Sequence, residues 1–205
     1  MRILSPVVAL MLVTALAACG DDNAAGEVSG NDAASADDGS SAQAPGVDAA
    51  EDADGTITAT LNGERSTWYV LSQESGGEVR SQSDWSDFGV STSVSLFGHV
   101  SPTSTRSTGA LSVGFVITGT GDNPSVGEPD IAYLAGGLSN MYVSNDDASV
   151  TVTSADVDGD IMTISGSFSG TLTYHSRAGA EPEDGVTEIA VDDGTFEAKV
   201  HELKH

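Results

Sequence analysis

The last five residues, His201-Glu202-Leu203-Lys204-His205, carry the pattern H-E-x-x-H. On a helix its two histidines lie one turn apart on one face. They can then hold zinc, with the glutamate as general base for metal-assisted hydrolysis. A third ligand would have to come from upstream. Five residues hold no helix without tertiary support. If the strand-like run before them continues instead, the two histidines lie ~13 Å apart, too far for bonds of ~2 Å to one ion. A frayed polar end is the expectation, with adventitious metal binding and catalytic zinc as the competing readings.

A second set of oxygen donors is Asp156, Asp158 and Asp160, whose D-x-D-x-D spacing opens a calcium loop. Such a loop takes Gly at its sixth position and Glu at its twelfth. Here those positions are Ile161 and Ser167, so the segment is no EF-hand. A weaker calcium site that also uses Asp146 and Asp147 stays open. The competing reading is a hairpin turn, which needs Asp and Gly for its backbone geometry. The serines and histidines form no recognisable nucleophile pattern. Trp68, Trp85 and Phe88 could form an aromatic ligand platform or belong to the core. Gly136-Gly137 lacks the strand-to-helix setting of a phosphate loop. No cofactor is expected.

The elements that would position these groups read as strands. Met162, Ile164, Gly166, Phe168, Gly170, Leu172 and Tyr174 fall on even numbers, and the residues between them are Ser and Thr. Alternation of this kind gives one apolar face and one hydroxyl face. Val150 and Val152 alternate in the same way just upstream. Both apolar sets must face one core, which constrains the register. A two-residue Asp158-Gly159 loop would set Val152 opposite Ser165, on the wrong face. A three-residue Val157-Asp158-Gly159 loop sets Val152 opposite Ile164, Ala148 opposite Phe168 and Asp156 opposite Asp160, with Gly159 left-handed. Near the C-terminus Ile189 and Val191 are odd, whereas Phe196, Ala198 and Val200 are even. A two-residue type I′ loop at Asp193-Gly194 would absorb that change and pair Val191 with Phe196 and Asp192 with Thr195.

Further strands are predicted at Ile57 to Leu61 before an Asn62-Gly63 turn, at Trp68 to Leu71, Val90 to Leu96, Leu111 to Ile117, Ile131 to Leu134 and Met141 to Val143. Gly121 to Pro129 reads as loop, and Glu181 to Gly185 as an acidic loop. No helical period appears after Thr56. The expectation is an all-β domain over 56–205, an antiparallel β-sandwich or flattened barrel.

The chain has 205 residues, a formal net charge of −24 and one cysteine. Residues 1–18 read as a signal peptide, with Arg2 before an apolar run that ends in Leu16-Ala17-Ala18-Cys19. That ending resembles the lipobox of bacterial lipoproteins at all four positions. The resemblance implies a diacylglyceryl thioether on Cys19, cleavage after Ala18 and acylation of the new amino group. Two or three chains hold a protein on a bilayer, at ~0.8 kcal/mol per buried methylene. Residues 19–55 would be the lipidated cysteine and a disordered tether. The stretch from Gly20 to Gly55 has ten acidic residues, no Lys or Arg and no aromatic side chain. It buries too little apolar area to offset ordering entropy. Gly20 after the lipidated cysteine implies the outer membrane, on its periplasmic face or, with Asp21-Asp22 following, at the cell surface. The acidic balance disfavours nucleic acid and anionic lipid.

Asn62-Gly63 followed by Trp68, Ile164 to Leu172 (ISGSFSGTL) and Asp192 to Phe196 (DDGTF) together resemble exported bacterial lipoprotein domains of unknown function. The resemblance implies an all-β exported domain and carries over no catalytic residue. The functional expectation is a lipid-anchored envelope module, binding or structural, held to the membrane by its lipid and meeting an unknown protein or glycan partner. It is not expected to be an enzyme. The alternatives are a zinc hydrolase at the C-terminal pattern and a calcium-dependent surface adhesin.

Overall fold

The computed structural model describes residues 53–75, 78–119, 125–176, 179, 181–182 and 184–204. The signal peptide, Cys19 and nearly all of the tether lie outside the described residues, as does His205. Among the described residues twelve strands follow in order: β1 (Gly55–Leu61), β2 (Glu64–Val70), β3 (Ser72–Ser75), β4 (Glu78–Ser81), β5 (Asp84–Asp87), β6 (Ser91–His99), β7 (Ala110–Thr118), β8 (Ser125–Leu134), β9 (Asn140–Ser144), β10 (Ser149–Asp158), β11 (Ile161–Ser176) and β12 (Glu188–Glu202). One 3-10 turn, Gly137–Ser139, precedes β9. The all-β expectation holds, and among the described residues there is no α-helix.

The strands close on themselves. Pairings run β1–β2–β6–β7–β8–β9–β11–β12 and return from β12 to β1. Closure removes the free edges that an open sheet would present along this ring. Of the two architectures the alternation allowed, the barrel is the one formed. β5 bridges β6 and β12 beside the β1–β2 hairpin. β10 lies along β11, and β3 and β4 make a separate hairpin.

β11 is the axle. One edge pairs with β12 over almost its whole length, and the other pairs first with β10 and then with β9. Its even-numbered apolar face points inward: Met162, Ile164, Phe168 and Leu172 are all buried. They meet Ile57, Trp68, Leu96, Leu111, Val113 and Ile131 from the facing strands. Phe196 stacks between Phe115 and Phe168, at centroid distances of 5.7 and 6.4 Å. Each such side chain contributes ~1.5–3 kcal/mol on burial.

The central hairpin keeps the predicted faces but not the predicted register. Val150 lies opposite Phe168 and Val152 opposite Gly166, not opposite Ile164, and Ala148 is not opposite Phe168. Thr153 is then bulged, so that Ala155 meets Ile164 and Asp158 meets Ile161. The loop is therefore Gly159-Asp160. Asp156 pairs with Thr163, not with Asp160. Gly159 has φ 61°, and Asp160 has no positive φ, as a type II′ turn requires. A bulge changes side-chain parity just as an added loop residue does, so parity could not distinguish the two.

The predicted second hairpin is absent. β12 is one strand of 15 residues with a bulge at Asp193. Asp193 carries the positive φ, 51°; Gly194 does not. Burial alternates on odd residues through Val191, skips two exposed positions and resumes on even residues from Gly194. A Cβ on Gly194 would lie 2.8 Å from the Phe168 ring. That glycine is needed for close packing rather than for a turn. Asn62-Gly63 does form the expected two-residue loop, with φ of 47° and 87°.

Three smaller expectations are corrected. Ser125 to Pro129 belongs to β8 rather than to a loop. β5 pairs with β12 in parallel, at Asp84 with His201 and Trp85 with Glu202, so the sheet is mixed rather than wholly antiparallel. The chain is not frayed through Leu203: Glu202 N donates to Asp160 O and Leu203 N to Trp85 O, both at 2.8 Å.

Candidate functional site

Among the described residues the sequence-predicted metal groups do not come together. His201 and Glu202 are strand residues in β12, so the helix that H-E-x-x-H requires is not formed. Asp156 and Asp158 end β10, and Asp160 turns toward the C-terminus, where its Oδ2 meets Lys204 Nζ at 2.5 Å. That hydrogen bond and charge hold the Asp160 carboxyl below its usual range and raise the Lys204 amine. No group of three or more metal-ligating side chains converges among the described residues.

The aromatic platform also dissolves. Trp68 and Trp85 are buried core residues, each fixed by its indole N–H: Trp68 Nε1 donates to Gly109 O at 2.8 Å and Trp85 Nε1 to Asp160 O at 3.4 Å. Phe88 stands apart on the β5–β6 turn, 60% exposed. His99 is buried, with its ring 5.0 Å from Phe97 and its Nδ1 3.2 Å from Arg106 O.

A different set of aromatics meets at one end of the barrel. Tyr133 on β8 pairs with Tyr142 on β9, and Tyr142 pairs with Tyr174 on β11. The three form a row across consecutive strands, with centroid separations of 6.3 and 5.3 Å. Trp68 extends the row, edge-on to Tyr133 at 6.5 Å. Cross-strand aromatic pairs of this kind contribute ~0.5–1.5 kcal/mol beyond their buried area.

Above Tyr142 and Tyr174 lies a cavity of about 280 Å³. Among the described residues, Thr108, Ala135, Gly136, Asn140, Pro182 and Asp184 line the rest of it. Its size approaches the ~300 Å³ at which small-molecule sites begin, and barrel mouths are common places for them. The Tyr142 hydroxyl donates to Val186 O at 2.9 Å, and the Tyr174 hydroxyl to Asn140 Oδ1 at 3.2 Å. Burial first, then Tyr174, Asp184 and Tyr133, push the Tyr142 phenol up, so it stays neutral. Burial and Glu64 do the same to Tyr133. Asp184 is exposed at the rim.

Sequence reasoning found Tyr174 as one member of an apolar stripe and missed its partners. Tyr142 and Tyr133 sit in short runs whose pairing is fixed only when β9 docks on β11. A second depression, of about 210 Å³, lies where the chain enters β1, between Asp54, Thr163, Glu197 and Lys199. Asp54 Oδ2 is buried there with no hydrogen-bond partner among the described residues. No family model matches the chain, and neither does any curated protein or solved structure.

Proposed function

We propose that this protein is a lipid-anchored binding module of the bacterial cell envelope: a β-barrel carried on an acidic tether from Cys19 that takes a small ligand, or the end of a larger one, at its tyrosine-lined mouth. The cavity framed by Tyr142, Tyr174, Asn140 and Asp184 carries the binding half of this reading. It has the aromatic surface and the few polar groups by which ligand sites fix an orientation. The lipobox and the ten acids of the tether carry the anchored half. A binding role needs no reacting side chain. The zinc and calcium readings have no helix at His201-Glu202 and no converging carboxylates at Asp156 to Asp160 behind them.

Two measurements test it. Cys19→Ser should abolish lipidation and leave the precursor uncleaved; maturation and detergent partitioning like those of wild type would end the anchored reading. For binding, the full chain in detergent is titrated by ligand-observed NMR with separate pools of neutral saccharides, carboxylates and organic ammonium compounds. At least one pool should bind, and Thr108→Trp, which fills the cavity from its rim, should abolish that binding. Binding by no pool, or binding unaffected by the filled mouth, would end the binding reading.

A further inference from the structure

We propose that the mouth recognises a small organic ammonium group, held against the Tyr142 and Tyr174 rings with Asp184 as its counter-charge. The inference rests on the binding reading above and narrows its ligand to one chemical class.

The first argument is hydrogen-bond inventory. Both phenol hydrogens are already committed, to Val186 O and to Asn140 Oδ1. Each phenol oxygen therefore faces a ligand with acceptor capacity only. Asn140 Oδ1 also accepts from Ser176 Oγ at 3.5 Å, which leaves little for a ligand hydroxyl. Asp184 adds a carboxylate, another acceptor. Among the described residues of the wall, Thr108 and the Asn140 amide nitrogen are the side-chain donors left to a ligand. A site so rich in acceptors and π surface suits a positively charged group better than a neutral polyol, which needs donors and acceptors in balance.

The second argument is shape. The Tyr142 and Tyr174 planes stand 62° apart, with centroids separated by 5.3 Å. Two rings at a steep angle form a corner rather than a flat platform. A corner encloses a compact cation within the ~6 Å of a ring centroid at which cation–π attraction acts. A flat sugar ring stacks best on a broad open face, whereas Tyr142 is buried and Tyr174 half-buried, so Tyr174 supplies most of the ring surface a compact cation meets.

The third argument is charge. Among the described residues that line the cavity there is no lysine, arginine or histidine, and Asp184 carries the one formal charge. The whole chain carries −24, so its field draws cations toward the mouth and repels carboxylates and phosphates. Burial around the tyrosines strengthens this local attraction by excluding water.

The test uses the full chain in detergent with choline, with dimethylbutanol as its neutral carbon isostere, and with glucose. Ligand-observed NMR gives affinities, and tyrosine ring signals report the place of binding. Choline should bind at least about tenfold more tightly than dimethylbutanol. Its affinity should fall severalfold in Asp184→Asn and vanish in Tyr174→Leu. Asp184 is exposed, so its variant folds even if Tyr174→Leu does not. Equal binding of choline and dimethylbutanol, or glucose binding above choline, overturns the ammonium proposal and leaves the binding module standing. An Asp184→Asn variant that holds choline as tightly as wild type also overturns it. Failure of choline together with every other pool overturns both.

Discussion

Tyr142 lies directly opposite Tyr174 across the β9–β11 ladder, with ring centroids 5.3 Å apart and planes at 62°. Their hydroxyls point to different partners, Val186 O in the loop before β12 and Asn140 Oδ1 at the start of β9. One pair thus ties the cavity wall both to Val186 before β12 and to the start of β9. Tyr142→Phe keeps the ring and removes one part-buried hydrogen bond. It should cost about 1 kcal/mol in urea denaturation and leave Val186 O without this partner. Tyr142→Ala should cost about 3–5 kcal/mol, as a large aromatic deletion in a core. Equal effects of the two variants would mean that ring packing contributes little.

The bulge in β12 gives a second expectation. Asp193 has φ 51°, where a β-branched side chain is strained. Asp193→Val should destabilise by about 1–3 kcal/mol, whereas Asp193→Gly should be close to neutral or mildly stabilising. Gly194→Ala should destabilise through a clash with Phe168, by about 1–3 kcal/mol. If Asp193→Val melts as wild type does, the left-handed bulge is not where the strand changes face.

Gly159 and Gly166 should respond to alanine for different reasons. Gly159 has positive φ in the turn and open space around its missing Cβ, so Gly159→Ala should cost about 1 kcal/mol of backbone strain. Gly166 has no room: its Cβ would lie 2.2 Å from Thr151 O and 2.5 Å from the Phe196 ring. Gly166→Ala should therefore cost more, by separating β10 from β11. Chemical denaturation of the two variants ranks them, and a reversed order would contradict the bulged register.

Removing residues 201–205 should destabilise the barrel beyond simple fraying. The deletion loses the Glu202–Asp160 and Leu203–Trp85 backbone bonds and unpairs β5 from β12. A loss of about 2–3 kcal/mol is expected, from two backbone hydrogen bonds and the partial exposure of Trp85. An unchanged denaturation midpoint would show that β5 needs only β6.

The Asp160–Lys204 pair sets a small pH dependence. The Asp160 carboxyl is depressed in the folded state, so its contribution is present above its unfolded value and is lost as pH falls through the folded one. The Lys204 amine is raised, so its contribution is full below its unfolded value and disappears as pH rises through the folded one. Lys204→Met should lower the melting temperature slightly near neutral pH. In strong acid or high salt it should not, because the pair is exposed and screened. A Lys204→Met effect that persists in acid would have to come from packing.

Alternation of apolar residues along single segments made the all-β class and the inward face of β11 readable, because side-chain direction in a strand follows from covalent geometry. The Asn62-Gly63 loop was readable for the same local reason: it needs two left-handed residues, and that dipeptide tolerates them. Register at Val152 and the unbroken course of β12 were not readable. A bulge at Thr153 or Asp193 and a turn of another length produce the same change of parity, and only the neighbouring strands β1 and β11 select between them. The tyrosine row was least readable of all. Tyr133, Tyr142 and Tyr174 are separated by many residues, and each is unremarkable in its own strand. Long-range closure of the barrel set them side by side, and with them Asp184 and Asn140, because the energy that fixes such a row comes from contacts between strands rather than from any one of them.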